Sequence, residues 1–443
     1  MKKNLAFLKL KNKILKNQEK IAVIGLGYVG LPLAVSLALK KIKVIGLDND
    51  KNKISNLNKS KSIISTIDTK ILKKIKNDIK FSSNFDLIKT SDVVIICVPT
   101  PIYIRYKIPM MEHVKDVIDQ MGKYSIKNKL LILECTTYPG ATEEFLLPKI
   151  TDQKLIEGEN VFIGYSAERE DPGNKVYSIL NKNIPKVISG KSSCSLYLVD
   201  RIYSKITNKT IKVSNIKTAE FTKLLENIYR SVNIGLINEM KSICDKFKIN
   251  IYEVIDAAKS KPFGFQAFYP GPGVGGHCIP VDPYFLSWKA NQLGARTRFI
   301  KLAGEINESR PYNIVDQLIG FLGNKNLSKI KCLAIGLTYK KNSDDIRMSP
   351  SVEVVKLIKK KISKYIYVCD PNIKKELPIF KKYKIINSKK ITKEFLKKMD
   401  FIIILTNHDK INYEFIEKHS KHIFDTKNVY KTHLTRNKKI ILL

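Results

Sequence analysis

Acidic residues are scarce in this chain. Asp and Glu number 41 against 79 Lys and Arg, a formal charge of +38 at pH 7. Such an imbalance invites a nucleic-acid reading. The lysines are spread over the whole length, however, with no dense basic block and no basic–aromatic alternation. No specific nucleic-acid site is expected, only nonspecific polyanion binding at low salt. Long apolar runs are missing as well. Nothing approaches the ~18 consecutive apolar residues of a membrane span, although 44% of the residues are hydrophobic and can fill large cores. Residues 1–19 are Lys-rich but lack the apolar stretch and small-residue cleavage site of a secretory signal. They read as a basic extension, and the protein as cytoplasmic without membrane attachment. Cysteine is sparse and scattered: seven residues, at 97, 135, 194, 244, 278, 332 and 369, form no CxxC pair. That argues against a disulfide framework and a structural zinc site, and no metal is expected.

What is present alternates. A length of 443 residues predicts two or three domains. Ile21-Ala-Val-Ile24, Lys43-Val-Ile-Gly-Leu47, Val93-Val-Ile-Ile-Cys97 and Leu130-Leu-Ile-Leu133 are near-continuous apolar runs. Such runs suit strands buried on both faces of a parallel sheet. Val161-Phe-Ile163 and Pro185-Lys-Val-Ile188 extend the series. From Thr218 to Phe247 the period changes to 3–4, predicting a long connecting helix with a natural role in dimer packing. A second alternating block begins at Lys331-Cys-Leu-Ala-Ile-Gly336 and continues through Tyr365–Asp370 and Asp400–Leu405. The fold class expected is α/β, with two Rossmann-like doubly wound domains joined by a long helical dimerisation segment. The expected divisions are 20–210, 211–320 and 321–443.

Gly25-Leu-Gly-Tyr-Val-Gly30 follows the first strand and opens a helix. Gly25 permits the tight turn, Gly27 lets the backbone approach a pyrophosphate, and Gly30 allows close helix–strand packing. Tyr28 and Val29 complete the turn, and the helix N-terminus favours phosphate. Asp48 ends the next strand, where a carboxylate can accept the ribose hydroxyls of NAD and repel the 2′-phosphate of NADP. Lys53 lies close by and works against that exclusion. Cys97-Val-Pro-Thr-Pro101 leaves a further strand at the carboxyl edge, so Pro99 and Thr100 either border the cofactor or mark a simple strand exit.

Tyr269-Pro-Gly-Pro-Gly-Val-Gly-Gly-His-Cys-Ile-Pro-Val-Asp-Pro283 cannot be regular helix or strand. It reads as a tight loop whose backbone comes close to something, followed by a helix. A thiol at that junction meets the positive end of a helix dipole, yet a lone Cys278 reads first as a structural thiol. Lys223 and Asn227 stand four apart on one helix face, which for most lysines is a solvated stripe. Thr136-Thr137 and Ala167-Glu-Arg169 follow strands and could be ordinary polar loops.

Together these segments resemble the UDP-glucose/GDP-mannose dehydrogenase family. The resemblance runs from about residue 20 to 430. It rests on Gly25–Gly30, Cys97–Pro101, Thr136-Thr137, Ala167-Glu-Arg169, Lys223 with Asn227, Gly275-Gly-His-Cys278 with Asp282, and Tyr339-Lys-Lys-Asn-Ser-Asp-Asp-Ile-Arg-Met-Ser-Pro350. It implies an NAD domain, a dimerising helical middle and a nucleotide-sugar domain. It also implies oxidation of a sugar C6 alcohol to the carboxylate with two NAD in succession. A reactive aldehyde has to be retained between the two oxidations, and a thiolate can capture it. By resemblance, Cys278 carries the thiohemiacetal and thioester. Lys223 and Asn227 stabilise the C6 oxygen, Asp282 works as a base with water, Glu168 serves thioester hydrolysis, and Thr137, which also borders the cofactor, positions water near the reacting carbon. Arg347 would reach the cofactor. Lys340 would contact the UDP pyrophosphate, and Arg169, Tyr269, Gly273, Gly276 and Lys427 would line the substrate. The intact set speaks against a binding protein that has lost the chemistry.

Val281 stands where the UDP-glucose enzymes carry Lys, and His277 precedes the Cys. These features, with Lys261-Pro-Phe-Gly-Phe265 and Ala167-Glu-Arg-Glu-Asp-Pro-Gly-Asn174, are most similar to the branch acting on UDP-N-acetylhexosamines. UDP-GlcNAc is the preferred expectation, with UDP-ManNAc and then UDP-glucose behind it. Asp425-Thr-Lys-Asn428 departs from the family's usual Asp-x-Arg-Asn. Lys427 keeps the charge but not the planar fork of Arg.

Overall fold

The near-continuous apolar runs become strands whose side chains are buried on both faces. The computed structural model describes residues 4–64, 67–169, 179–181, 183–323, 327–373, 383–431 and 437–443. Two compact units result. The first comprises Met1–Glu226 with Tyr284–Gly294, and the second comprises Asn227–Pro283 with Ala295–Leu443.

In the first unit the strands are β1 (Lys20–Ile24), β2 (Lys43–Leu47), β3 (Ile79–Ser82), β4 (Val93–Ile96), a short hairpin of β5 (Ile102–Tyr103) and β6 (Ile108–Pro109), β7 (Leu130–Leu133), β8 (Phe162–Tyr165), β9 (Lys186–Gly190) and β10 (Thr210–Lys212). The sheet order is β10-β9-β8-β7-β4-β1-β2-β3, parallel throughout except β8 against β9. Counted from the β3 edge, the first six strands follow the 3-2-1-4-5-6 order of dinucleotide-binding sheets. The period of two sorts each strand between two cores. Ile21, Val23, Val93, Ile95, Leu130 and Ile132 face one side. Ala22, Ile24, Val94, Ile96, Leu131 and Leu133 face the other.

The N-terminal stretch is more than a basic extension. Leu5–Leu15 is a helix capped by the Asn4 side chain, which accepts from Phe7 N–H. Its Leu10 and Ile14, one helical turn apart, are buried in the first core. Phe7 meets Phe162 and Tyr197 edge-on at 6.2 and 5.7 Å, and Lys13 pairs with Asp92 at 2.6 Å.

The second unit contains β11 (Lys331–Ile335), β12 (Tyr365–Cys369), β13 (Lys384–Ile385), β14 (Phe401–Ile404), β15 (Ile423–Asp425) and β16 (Ile440–Leu442). Their order, β13-β12-β11-β14-β15-β16, is the same 3-2-1-4-5-6 pattern and wholly parallel. The likeness extends to hydrogen bonds. Gly25, at φ +91°, donates to Leu47 O at 2.8 Å, and Leu26 N–H donates to Asp48 Oδ2 at 2.9 Å. Gly336, at φ +84°, donates to Cys369 O at 2.9 Å, and Leu337 N–H donates to Asp370 Oδ2 at 2.7 Å. The two differ in what the aspartate meets next. Asp48 pairs with the partly exposed Lys53 at 3.1 Å. Asp370 pairs at 3.1 Å with His408, which is fully buried.

A helix of 32 residues, Ile216–Phe247, runs from the first unit into the second. No helix among the described residues is long and apolar enough to cross a membrane.

Candidate active site

The glycine turn after β1 is built for a close visitor. A Cβ on Gly25 would lie 2.6 Å from Cys97 O, and one on Gly30 would overlap the Gly25 carbonyl oxygen. Those two glycines let the chain pass itself. Gly27 differs, because a Cβ there meets nothing within 4 Å. The space beside its backbone is open, at the start of a helix (Gly30–Ala38) that has no side-chain cap. A helix start with open space beside its backbone suits a pyrophosphate. Asp48 stands at the end of β2, its Oδ1 accepting from Asp50 N–H and its Oδ2 from Leu26 N–H and Lys53. Thr100 is buried and donates to Thr136 O at 2.8 Å, tying the Cys97–Pro101 exit to the next strand's exit, while Pro99 is exposed. These residues fit NAD.

In the same unit Thr137 is fully buried, with its hydroxyl 3.5 Å from Glu220 Oε1. Glu220 also accepts from Gly140 N–H at 2.5 Å, Thr142 N–H at 2.9 Å and Thr142 Oγ1 at 2.7 Å. It thereby caps the helix Ala141–Asp152 from the long helix. Burial lifts its carboxyl to about 7 against these donors. Glu168 accepts from Arg169 N–H at 2.6 Å and from Lys186 at 2.7 Å. The Arg169 guanidinium pairs with Glu226 at 2.5 Å and donates to Pro185 O at 2.8 Å. Lys223 is buried, not part of a solvated stripe, and makes no ion pair among the described residues. The rest of the Ala167–Asn174 motif, from Glu170 onward, lies outside the described residues.

In the second unit Asn227 is buried and donates to Asp282 Oδ2 at 2.5 Å. Cys278 O accepts from Val281 N–H at 3.1 Å and Asp282 N–H at 2.8 Å, closing a turn that feeds the helix Asp282–Gln292. Cys278 is exposed. Cys97, Cys135, Cys332 and Cys369 are buried, and burial pushes their thiols up. The structural reading that suits those four therefore fails for Cys278. The close approach expected of the Gly/Pro loop is to the chain itself. A Cβ on Gly275 would lie 2.5 Å from Tyr339 Cβ, one on Gly276 2.8 Å from the Tyr339 ring, and one on Gly273 2.8 Å from Asn307 O. Gly276 N–H also donates to Arg347 O at 2.9 Å. The Arg347 guanidinium forks onto Asp345 at 2.7–3.0 Å. Burial, then the Arg347 charge, lower the His277 pKa, so the imidazole beside Cys278 is neutral at neutral pH. Tyr269 stacks on Tyr252 at 6.1 Å and is otherwise exposed. Lys340, half-buried, follows β11 in the loop that Thr338 closes by donating to Lys340 O at 2.9 Å.

The loop start has a charge imbalance that sequence reading missed. Arg310 is 1% exposed, donates its Nε–H to Gly271 O at 3.2 Å, and leaves both terminal nitrogens without partners among the described residues. Lys427 is drawn down to about 8 by burial, and a Cβ on Gly271 would lie 2.7 Å from its Nζ. Two desolvated cations at one turn suit an anionic ligand. Asn238 holds that turn by accepting from Gly271 N–H at 3.1 Å and donating to Asn307 at 3.0 Å. Glu220, Lys186, Asn238 and Arg310 sit at ordinary helix and strand positions, so one sequence carries no signal for them.

Comparison with known proteins agrees with this arrangement. The NAD binding domain of the UDP-glucose/GDP-mannose dehydrogenase family matches residues 19–207, its central domain 217–309, and its UDP binding domain 333–432. A UDP-N-acetyl-D-glucosamine 6-dehydrogenase of Pseudomonas aeruginosa is 37% identical over 76% of this chain and 79% of its own. A UDP-N-acetyl-D-mannosamine dehydrogenase of Campylobacter jejuni is 33% identical over 90% and 97%. The structure of a UDP-D-ManNAc dehydrogenase from Pyrococcus horikoshii superposes with a TM-score of 0.82 at 29% identity, covering 96% of this chain and 98% of that one. The chain belongs to the UDP-glucose/GDP-mannose dehydrogenase family and is an NAD-dependent nucleotide-sugar dehydrogenase.

Proposed function

We propose that this enzyme oxidises the C6 alcohol of a UDP-N-acetylhexosamine to the uronate, with UDP-GlcNAc preferred, for surface polysaccharide synthesis. The observation that carries the reading is the buried Asn227–Asp282 hydrogen bond on the turn that leaves Cys278 exposed. Gly25–Gly30 and Asp48 would hold NAD, which would supply the hydride acceptor for each oxidation. Lys223 and Asn227 stabilise charge on the C6 oxygen. Cys278 adds to the aldehyde and keeps it bound. Oxidation of that adduct leaves a thioester, and water attacks it with Glu168 as base. Asp282 is the base for the earlier steps. Thr137 orders water, and Arg347 contacts the cofactor. Arg310, Lys340 and Lys427 meet the UDP phosphates, while Arg169, Tyr269, Gly273 and Gly276 line the sugar side.

The preference for GlcNAc draws on His277, Val281 and the 37% identity to the Pseudomonas enzyme. UDP-ManNAc is the second reading, favoured by the fuller coverage of the Campylobacter relative. The enzyme acts as a homodimer. Supporting this, the long helix exposes Phe221, Leu225, Tyr229, Leu236, Ile243 and Phe247, a stripe at helical spacing that calls for cover. NADH release is measured with UDP-GlcNAc, UDP-ManNAc and UDP-glucose. Two NADH per sugar and at least a tenfold higher kcat/KM for UDP-GlcNAc are expected. A higher value for UDP-ManNAc would overturn the sugar assignment, and one NADH per sugar the covalent scheme.

A further inference from the structure

Three neighbouring strands deliver a buried charged cluster at the carboxyl side of the first sheet. Glu134 follows β7, Glu168 follows β8, and Lys186 opens β9. The Lys186 ammonium bonds Glu134 Oε1 and, at 2.7 Å, Glu168 Oε2. Tyr203 donates its hydroxyl to Glu134 Oε2, and Lys186 lies 5.5 Å over the Tyr203 ring. The side chains of Lys186 and Glu134 are 3% and 0% exposed, that of Glu168 12%.

A lysine shared by two carboxylates is a costly way to fasten a fold, since an apolar trio of the same volume is often as stable. The cluster is also asymmetric. Glu134 is shut in and anchored by Tyr203, whereas Glu168 alone reaches the surface. Both Glu168 oxygens are fixed: Oε2 by Lys186, and Oε1 by Arg169 N–H at 2.6 Å. The Arg169 side chain is turned away onto Glu226 and cannot take the place of Lys186.

We propose that Lys186 is a positioning residue for the hydrolytic half of the reaction, holding Glu168 to receive the proton of the attacking water, with Glu134 and Tyr203 as its rear anchor. The inference rests on the assignment of Glu168 as that base. In the step, the water oxygen bonds to the thioester carbonyl carbon and its proton passes to Glu168. The C–S bond breaks and Cys278 leaves as thiolate. The carboxylic acid formed ionises to the uronate, and Glu168 returns its proton to solvent. Nothing is oxidised or reduced. Lys186 supplies the charge that keeps Glu168 a carboxylate beside a second carboxylate. Burial opposes the ammonium, but the two glutamates outweigh it and hold Lys186 protonated. The other titratable groups around the cluster, among the described residues, are Tyr203, Cys97 and Cys135, all buried with their pKa values raised.

The test compares Lys186→Met, Lys186→Met with Glu134→Gln, Lys186→Arg and Glu168→Gln. The double variant leaves no pair of unneutralised buried glutamates and keeps the test open if the single variant misfolds. Steady-state kcat is measured against pH, and acid-quenched enzyme is weighed for a uronyl adduct on Cys278. Both Met variants are expected to lose at least tenfold in kcat while the adduct accumulates. The acid limb of the Lys186→Met profile should move to higher pH, and Lys186→Arg should recover much of the rate. Wild-type turnover without adduct in the double variant, with Glu168→Gln still accumulating it, would overturn the role of Lys186 and leave Glu168 as base. Wild-type turnover in Glu168→Gln would overturn both.

Discussion

Asn227 donates to Asp282 across 2.5 Å, and both side chains are buried. The bond fastens the long helix to the turn that carries Cys278. Asn227→Ala removes a donor from a buried carboxylate, which costs about 1–3 kcal/mol. A fall of at least a hundredfold in kcat/KM is expected, because the turn and the base proposed on it lose their reference point. Asn227→Asp should be worse at pH 8 than at pH 5, since two facing carboxylates repel when both are ionised. Melting temperature and kcat/KM at the two pH values check this. Equal behaviour at both would show that the carboxylates do not face each other.

The glycines after β1 separate folding from cofactor binding. Gly30→Ala places a Cβ against the Gly25 carbonyl oxygen, so it should lower the melting temperature. Gly27→Val adds bulk where nothing lies within 4 Å. That variant should melt like the parent but bind NAD at least tenfold more weakly, read by calorimetric titration. Unchanged NAD affinity in folded Gly27→Val would remove this turn from the cofactor site.

Glu220 makes stability depend on pH. Its carboxyl is raised by burial from an ordinary 4.5 to about 7. Between those values the folded protein holds a proton that the unfolded chain has released. The contribution of Glu220 is therefore full below pH 4.5 and falls as pH rises towards 7, by up to about 3 kcal/mol. The melting-temperature advantage of the parent over Glu220→Gln should shrink from pH 5 to pH 8. A constant or growing advantage would contradict the assignment.

Much of this was legible in the residues. Gly25–Gly30 with Asp48 specifies a strand, a turn and a helix, and the two alternating blocks carry the sheets. What escaped notice has a common physical cause. Leu10 and Ile14 are two contacts in a Lys-rich segment, too few to announce a helix. Glu220, Lys186 and Arg310 are charged residues at regular positions, and only the packing around them decides that they are buried. Cys278 could be singled out by its loop, but that it stays exposed while Tyr339 and Pro350 pack against the glycines before it is a matter of packing that the residues alone do not announce.

The buried His408 against Asp370 has a consequence for the order of events. Two sheets of one topology could in principle each dock a dinucleotide, yet in the second the aspartate that would greet a ribose is already spoken for by an imidazole of the same chain. The berth proposed for the cofactor is the one at Gly27 and Asp48, where the aspartate meets the partly exposed Lys53. A sugar taken through two oxidations on this protein must wait, half finished, while the spent nucleotide leaves that berth and a fresh one arrives. Under the proposed scheme that interval calls for the aldehyde to be held fast, which is the task proposed for the accessible thiol of Cys278.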